Sequence, residues 1–407
     1  MAGRHGRQCP RIGRWPARLG EVGCCILRPE RFPVRVAHVI PHMDDPVSGP
    51  SLSVRRLCES MADESVATSL LCLAVDEPLR NVTLSLMTQW RALGTFGFTP
   101  RWWPALGRAY AECDIVHNHS LWAFPNMVCG WRRPRLGRAA LVVSPRGTLA
   151  PAALARSRFK KLLAGPLQRP TLARADLLHA TSPMEYEDIR RAGWRRPVAV
   201  VPNGIDIPAL SVAKEDAAMR RLLFLGRIHP IKRLDRLLES WRQLQFAHPD
   251  WELVIAGKGA PAYIEGLKRQ AFRCGLLRCH FSGPVIGPAK NRMLAGSDLL
   301  VLPSASENFG MVVAESLASG VPVVTTHGAP WSGLAERGCG WWVSADGITT
   351  ALDEAMRCSP GTLRQMGSAG RAWMAEDFSW PIVAARLVES YRWIRDGGTA
   401  PEWVALA

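Results

Sequence analysis

The 407-residue sequence predicts an α/β protein made of two doubly wound domains that face a shared cleft. Three features predict it. Short apolar runs alternate with amphipathic segments along most of the chain, as in parallel strands covered by helices on both faces. The alternation runs through twice, before and after the turn signal Pro202-Asn203-Gly204. Each pass opens on a strand that leads through a Gly- or Pro-bearing loop into a helix.

The first pass begins with a strand at Val34–Ile40, a loop holding Pro41, Pro46, Gly49 and Pro50, and a helix at Ser51–Met61. Leu52, Val54, Leu57 and Met61 share one face of that helix. Strands follow at Ser69–Ala74, Ile115–His117, Leu141–Ser144, Leu177–Ala180 and Val198–Val200, with helices at Ala152–Leu163 and Pro183–Ala192. The second pass places strands at Leu222–Leu225, Glu252–Ile255, His280–Phe281, Leu299–Leu302 and Val321–Thr325. Its helices fall at Arg233–Gln245, Ala262–Cys274, Lys290–Ala295, Met311–Ser319 and Ile348–Met356. Gly338–Val343 reads as a turn and a strand. The helix Pro381–Arg395 has no strand left to pair with and is expected to return to the first domain. The resulting division is an Arg-rich tail expected to be disordered (1–33), a first domain (34–200), a second domain (201–378) and a returning C-terminal helix (379–407).

The net charge of +16 is uneven. Residues 1–33 carry seven Arg and two Glu, residues 34–200 carry 22 basic and 13 acidic groups, and residues 201–407 carry 22 and 20. A basic first half beside a nearly neutral second half points to an anionic surface or substrate; Arg-rich composition from a GC-rich genome is the competing explanation. The Trp pairs 102–103 and 341–342 are isolated pairs, so no basic patch interleaved with aromatics forms and no nucleic-acid partner is expected. The eleven Cys show no C-x-x-C and no zinc spacing, which fits reduced thiols and a cytoplasmic location. No apolar run is long enough for a membrane span, and the N-terminal segment lacks the apolar core of a signal peptide.

The sharpest motif is Pro303-Ser304-Ala305-Ser306-Glu307-Asn308-Phe309-Gly310-Met311-Val312-Val313-Ala314-Glu315, which follows a strand and opens a helix. Backbone N–H groups of Asn308 to Met311 would point out of the helix start, where phosphate or sugar oxygens are favoured. Read alone, Glu307 serves as readily as a partner for the helix dipole, and Glu315 as a solvated helix residue. Arg227 and Lys232 lie five residues apart in a Pro-bent loop at a strand end. They offer a planar fork and a point charge to a diphosphate, or form a solvated pair. Gly257-Lys258-Gly259 lacks the Ser or Thr of a P-loop, and no G-x-G-x-x-G follows the first strand, so ATP-hydrolase and NAD readings fall behind. His117 and His119 share one face of a strand end; with no third ligand nearby in sequence, no metal site is expected.

From Asp298 to Val324, without a gap, the chain resembles the donor-site signature of retaining glycosyltransferases of the GT-B fold, family 4 (group 1). Val201–Asp206 is similar to that family's interdomain turn, Phe224–Arg233 to its diphosphate-binding loop, and Leu253–Gly259 to its next strand and Gly loop. Val143–Leu149 looks like a segment of polysaccharide-building members, and the resemblance extends over residues 34–396. It implies an acceptor-binding first domain and a donor-binding second one. The donor is a nucleoside-diphosphate sugar, and no metal or other cofactor is needed. The implied donor contacts are Gly49, Arg227, Lys232, Gly257, Glu307, Asn308, Phe309, Gly310, Met311 and Glu315, with Gly257 allowing close backbone approach to the nucleotide. Ser48-Gly49-Pro50 departs from the usual double glycine, and Pro50 removes one N–H from that loop. Glu307, Arg227, Lys232 and His119 are the implied catalytic groups, His119 lying beside the donor sugar. Arg146 and His117 are placed toward the acceptor, Arg146 serving equally as a structural ion-pair former.

The expected reaction is sugar transfer, with retention, to an acceptor hydroxyl. The basic first half favours a lipid-linked or saccharide acceptor in cell-surface polysaccharide or lipopolysaccharide assembly, and allows peripheral association with the inner membrane face. Arg156, Arg158, Lys160 and Lys161 beside Leu154, Phe159, Leu162 and Leu163 suit such a surface or an ordinary amphipathic helix. A nucleotide-sugar epimerase on the same plan and a non-catalytic sugar-nucleotide-binding protein remain alternatives.

Overall fold

The computed structural model describes residues 33–44, 49–64, 66–88, 96–134, 138–156, 158–209 and 219–406, so the Arg-rich tail lies outside the described residues. The strands, in chain order, are β1 (Arg35–Val39), β2 (His42–Met43), β3 (Ala67–Cys72), β4 (Ala74–Val75), β5 (Thr83–Leu86), β6 (Ile115–His119), β7 (Ala140–Ser144), β8 (Leu177–Ala180) and β9 (Val198–Val200). They continue as β10 (Arg220–Leu225), β11 (Trp251–Ala256), β12 (Cys279–Gly283), β13 (Leu299–Leu302), β14 (Val323–Thr326), β15 (Gly340–Val343) and β16 (Val404–Ala405).

The second domain is a six-stranded sheet in the order β12-β11-β10-β13-β14-β15, parallel throughout. Counted from β10, that is strand order 3-2-1-4-5-6, the doubly wound dinucleotide-binding arrangement. The first domain repeats it. Its sheet runs β16-β9-β8-β7-β6-β1-β3-β5, with β16 alone antiparallel, and β2 and β4 form a small separate pair. Both sheets reverse direction at one place, between β1 and β6 in the first domain and between β10 and β13 in the second. At such a reversal the flanking crossovers leave toward opposite faces, so a crevice opens beyond the carboxyl ends of the strands.

The strands read as unbroken apolar runs because both faces are covered. In the second domain Leu222 to Phe224, Leu253, Ile255 and Leu299 to Leu302 are fully buried, packed with Trp241, Trp251 and Trp331. Helix Leu234–Leu244 supplies one covering face through Leu234, Leu237, Leu238 and Trp241. The first sheet carries one core on each side. One holds Trp102, Leu106 and Tyr110. The other holds Val34, Val36, Leu57 and Met61, and is completed from far along the sequence by Trp380, Val383, Leu387 and Tyr391. The helix Trp380–Asp396 therefore belongs structurally to the first domain. The chain passes between domains twice, side by side: Ile205 N–H donates to Phe378 O at 2.7 Å, and Gly204 sits where any Cβ would lie 2.3 Å from the Trp380 ring.

Candidate active site

Two of the charged groups singled out in the sequence, Lys232 and Glu307, meet at the reversal point of the second domain. Lys232 ends the turn that follows β10, and Glu307 lies in the loop that follows β13, so the topology places them on the two walls of one crevice. Their side chains form an ion pair, both largely shielded from solvent, and Ser304 Oγ donates to the same carboxylate oxygen, Glu307 Oε1, at 2.5 Å. Local bonds fix both loops. Ala305 N–H donates to Ile231 O at 2.8 Å, tying loop to loop, and Glu307 N–H donates to Gly328 O at 2.7 Å. His229 caps the turn of Pro230–Lys232 by accepting from Ile231 N–H at 3.2 Å. Burial lowers the His229 pKa, and the charges of Arg227, Arg156 and Lys232 lower it further. Arg227 is exposed on this loop. Arg156, from the first domain, is thus near enough for its charge to act on this loop, which its place in the expected helix did not reveal.

Beyond Glu307 the motif divides between site and scaffold. Phe309 is buried against Trp331 and Phe378, and its carbonyl accepts from Trp331 Nε1 at 2.6 Å. Gly310 has φ +79°, a left-handed conformation that costs glycine least, and opens the helix Met311–Ala318. Met311 packs on the second-domain core. Glu315 is paired with Lys290 at 2.6 Å, a cation not anticipated from the sequence, and so stands apart from the Lys232–Glu307 pair. A Cβ at Gly257 would fall 1.7 Å from the Gly226 carbonyl oxygen, so the neighbouring loop alone already requires glycine there. The physical reason is the parallel pairing of β10 with β11, which runs their following loops side by side, with Ile228 N–H donating to Lys258 O at 2.8 Å. Gly49 starts the helix Gly49–Asp63 with open space at its Cβ position; residues 45–48 before it lie outside the described residues.

The first-domain wall is a histidine cluster larger than the sequence suggested. His38 from β1 and His179 from β8 join His117 and His119 from β6, all fully buried. Hydrogen-bond logic fixes their protons. Val201 O can only accept, so His179 Nε2 donates to it at 2.8 Å. His179 Nδ1 then accepts from Ser144 Oγ at 2.7 Å, Ser144 Oγ accepts from His117 Nε2 at 2.6 Å, and His117 Nδ1 accepts from the Tyr391 hydroxyl at 2.6 Å. A second relay starts at Arg146, which donates to His119 Nδ1 at 3.2 Å. His119 Nε2 donates to His38 Nδ1 at 2.9 Å, leaving His38 Nε2 a buried donor without a partner. All four rings are held neutral. Burial depresses His38 and His179 to about 3, with the Arg146 charge adding to the effect, and burial lowers His117 and His119 as well.

Two expectations change here. His119 was placed beside the donor sugar, yet both its ring nitrogens are engaged inside the first domain. The chain turns away just beyond it, through Ser120 and Trp122 with φ +71° and +77°. His117 is likewise bound between Tyr391 and Ser144, and both rings are fully buried. The sequence also offered no third ligand, whereas His38 brings three imidazole nitrogens within 4.8 Å of one another. A divalent ion among them would be buried beside the Arg146 guanidinium, which donates to His119, and that like charge opposes a metal there.

Arg146 is the group at the surface of this wall. It is half-buried, in a left-handed backbone conformation (φ +53°), and donates to Ser53 Oγ at 3.1 Å and Asn203 Oδ1 at 2.8 Å. Among the described residues it has no ion-pair partner. Burial lowers its pKa to about 10, leaving it cationic at neutral pH.

Comparison with known proteins fits this geometry. The pattern of Glycosyl transferases group 1 matches residues 219–358, and that of Glycosyltransferase Family 4 matches residues 47–208. A D-inositol 3-phosphate glycosyltransferase of Segniliparus rotundus is 31% identical over 260 residues, which cover 58% of each chain. The chain spans just over half the length of the curated relatives it matches. Among solved structures, HepE of Anabaena in complex with UDP and glucose superposes with a TM-score of 0.68 at 19% identity, covering 88% of this chain and 98% of that one. WaaG, a glycosyltransferase involved in lipopolysaccharide biosynthesis, does so with a TM-score of 0.65 at 17% identity, over 87% and 99%. The fold is thus GT-B: two Rossmann-like domains on either side of a cleft.

Proposed function

Because this chain belongs to the group 1, family 4 glycosyltransferases, we propose that it moves a sugar from a nucleoside-diphosphate sugar to an acceptor hydroxyl with retention at the anomeric carbon. The observation that carries this reading is the Lys232–Glu307 pair at the reversal point of the second domain, where doubly wound sheets bind nucleotides. Before the donor arrives, each group neutralises the other. A diphosphate competes for Lys232, with Arg227 beside it on the same loop, and so releases the Glu307 carboxylate to accept from sugar hydroxyls. The cations then stabilise the charge that grows on the departing diphosphate, and Glu307 holds the sugar with its anomeric carbon toward the cleft. Attack from the face the diphosphate leaves accounts for retention without a protein nucleophile. Glu315 holds the ribose hydroxyls, and His119 acts through Arg146 rather than by touching the sugar. No metal or further cofactor is required by this reading, because cationic side chains take the leaving-group charge.

The acceptor we propose is lipid-linked or saccharide, in cell-surface polysaccharide or lipopolysaccharide assembly, with the enzyme in the cytoplasm against the inner membrane face. The excess of basic groups in the first domain supports this, as does the likeness to WaaG. No helix among the described residues is long and apolar enough to cross a membrane. The side chains of residues 158–161 and 163, on the segment suited to a membrane surface, lie outside those described; Leu162 beside them is 72% exposed. Incubation with UDP-, GDP- and ADP-sugars tests the reaction by release of the free nucleoside diphosphate. Release that depends on added acceptor lipid or saccharide supports transfer, and conversion of the sugar without any acceptor identifies an epimerase. Binding without turnover identifies a sugar-nucleotide-binding protein.

A further inference from the structure

The two domains meet at the loop that carries Glu307, and they meet through Asn308. Its side-chain Nδ2 donates to Thr181 Oγ1 at 2.9 Å, and its backbone carbonyl accepts from Ser182 Oγ at 2.9 Å. Both partners lie in the first domain, just after β8. A third first-domain residue, Gly147, lies against Asn308 so closely that a Cβ there would stand 2.8 Å from the Asn308 Cβ. The first-domain side of this contact is prepared by a buried carboxylate. Glu185 accepts from Gly147 N–H at 2.6 Å, and from Thr181 N–H and Thr181 Oγ1 at 2.7 Å each. With its proton committed to Glu185, the Thr181 hydroxyl can only accept from Asn308, so the polarity of the contact is set before the domains meet.

We propose that Asn308 is an interdomain latch and a positioning residue: seated on Thr181, Ser182 and Gly147, it holds the Glu307 loop in its working position only when the domains are closed. The sequence reading placed Asn308 at the donor through its N–H; the structure gives its side chain and carbonyl a different task. Glu307 precedes it and Phe309 follows, anchored to Trp331, so a hinge opening that pulls Asn308 from Thr181 bears directly on the carboxylate beside it. A closed cleft is thereby coupled to a correctly aimed Glu307, and an open one is not. The polar half of the latch is one that Ser can supply and Val cannot at position 181.

The inference rests on the transferase reading for its kinetic arm and is independent of it for its structural arm. In turnover, Asn308→Ala is expected to lower kcat about tenfold while uridine or guanosine diphosphate binding, measured by calorimetry, changes less than about twofold. Thr181→Val should reproduce that loss, Thr181→Ser should restore kcat, and Asn308→Ala with Thr181→Val together should be no worse than either alone. In small-angle scattering of the ligand-free protein, Asn308→Ala and Thr181→Val should both give a larger radius of gyration than the wild type and Thr181→Ser. Unchanged kcat in Asn308→Ala, multiplicative losses in the double variant, or one radius for all four proteins would overturn the latch. A wild type inert toward every nucleotide sugar would overturn the transferase reading, and the scattering comparison would still decide the latch.

Discussion

The four buried histidines of the first domain show how single residues set the chemistry of the wall they form. Each ring is neutral because burial penalises its charged form, and the protons are placed by neighbours of fixed polarity: the Val201 carbonyl, which can only accept, and the Arg146 guanidinium, which can only donate. Their folded pKa values lie below the ordinary 6.5 of the unfolded chain. The unfolded state therefore binds more protons as pH falls, and stability present above about pH 6.5 is lost below it. Unfolding free energies from urea titrations between pH 7.5 and 5.5 should fall with decreasing pH, by up to about 1.4 kcal/mol per pH unit for each histidine. A flat profile would contradict neutral burial. Only His117 and His119 were legible in the sequence as a pair, because they alternate on one strand. His38 and His179 lie on other strands, and no local spacing links them. Lys232 and Glu307 were each readable because each sits in a loop at a strand end, where a doubly wound sheet gathers its ligands, although nothing in the sequence joins them as an ion pair. Glu307→Gln keeps the side-chain volume and removes the charge. It should lower kcat at least about a hundredfold while leaving thermal unfolding near the wild-type value, and turnover within a factor of two of wild type would exclude a role in positioning the sugar.

Among the elements, long alternating segments were readable and tertiary ones were not. Strand β13 and helix Met311–Ala318 follow from an apolar run that ends in Pro303 and a helix start set by Gly310. Helix Trp102–Glu112 was missed because Pro104 falls in its first turn, where the absent N–H costs little, and because Gly107 interrupts its apolar face. Helix Phe124–Arg132 hides behind Pro125 and Gly130. Gly130 is needed because Thr171 of the facing helix leaves its Cβ position only 2.4 Å of room. Helix Pro360–Trp373 carries three glycines, of which Gly367 lies against the Gly320 carbonyl. Such glycines look like helix breakers until the partner element is known. Strand β5 is short, with no residue fully buried, and β16 exists only because β9 offers it an edge. The crossing of the loops after β10 and β11 yields its own prediction. Gly257→Ala puts a methyl group against the Gly226 carbonyl and should destabilise the protein by about 2 kcal/mol or more, read as a lower urea midpoint. An unchanged midpoint would mean the loops are free to separate.

At the scale of the whole molecule, the chain is interleaved rather than strung together. The C-terminal helix Trp380–Asp396 closes a face of the first sheet, and its Tyr391 hydroxyl starts the relay through His117. Ending the chain after residue 378 removes that cover while leaving the second-domain core whole. Limited proteolysis of such a truncation should leave a resistant fragment from the second domain and degrade the first; equal resistance of both would contradict the packing. Two domains and the returning helix could be anticipated by counting strands and finding one helix too many. The direct contact of the domains through Asn308 could not, since nothing in the sequence pairs it with Thr181.

The central claim is that the reversal point of the second sheet holds a nucleoside diphosphate against Lys232. Calorimetric titration of uridine and guanosine diphosphate into the wild type and into Lys232→Ala tests it most directly. The account predicts binding of at least one of them to the wild type and affinity about ten- to a hundredfold weaker in Lys232→Ala, the worth of one charge-assisted hydrogen bond. Equal affinity in the two proteins would place the diphosphate elsewhere and contradict it.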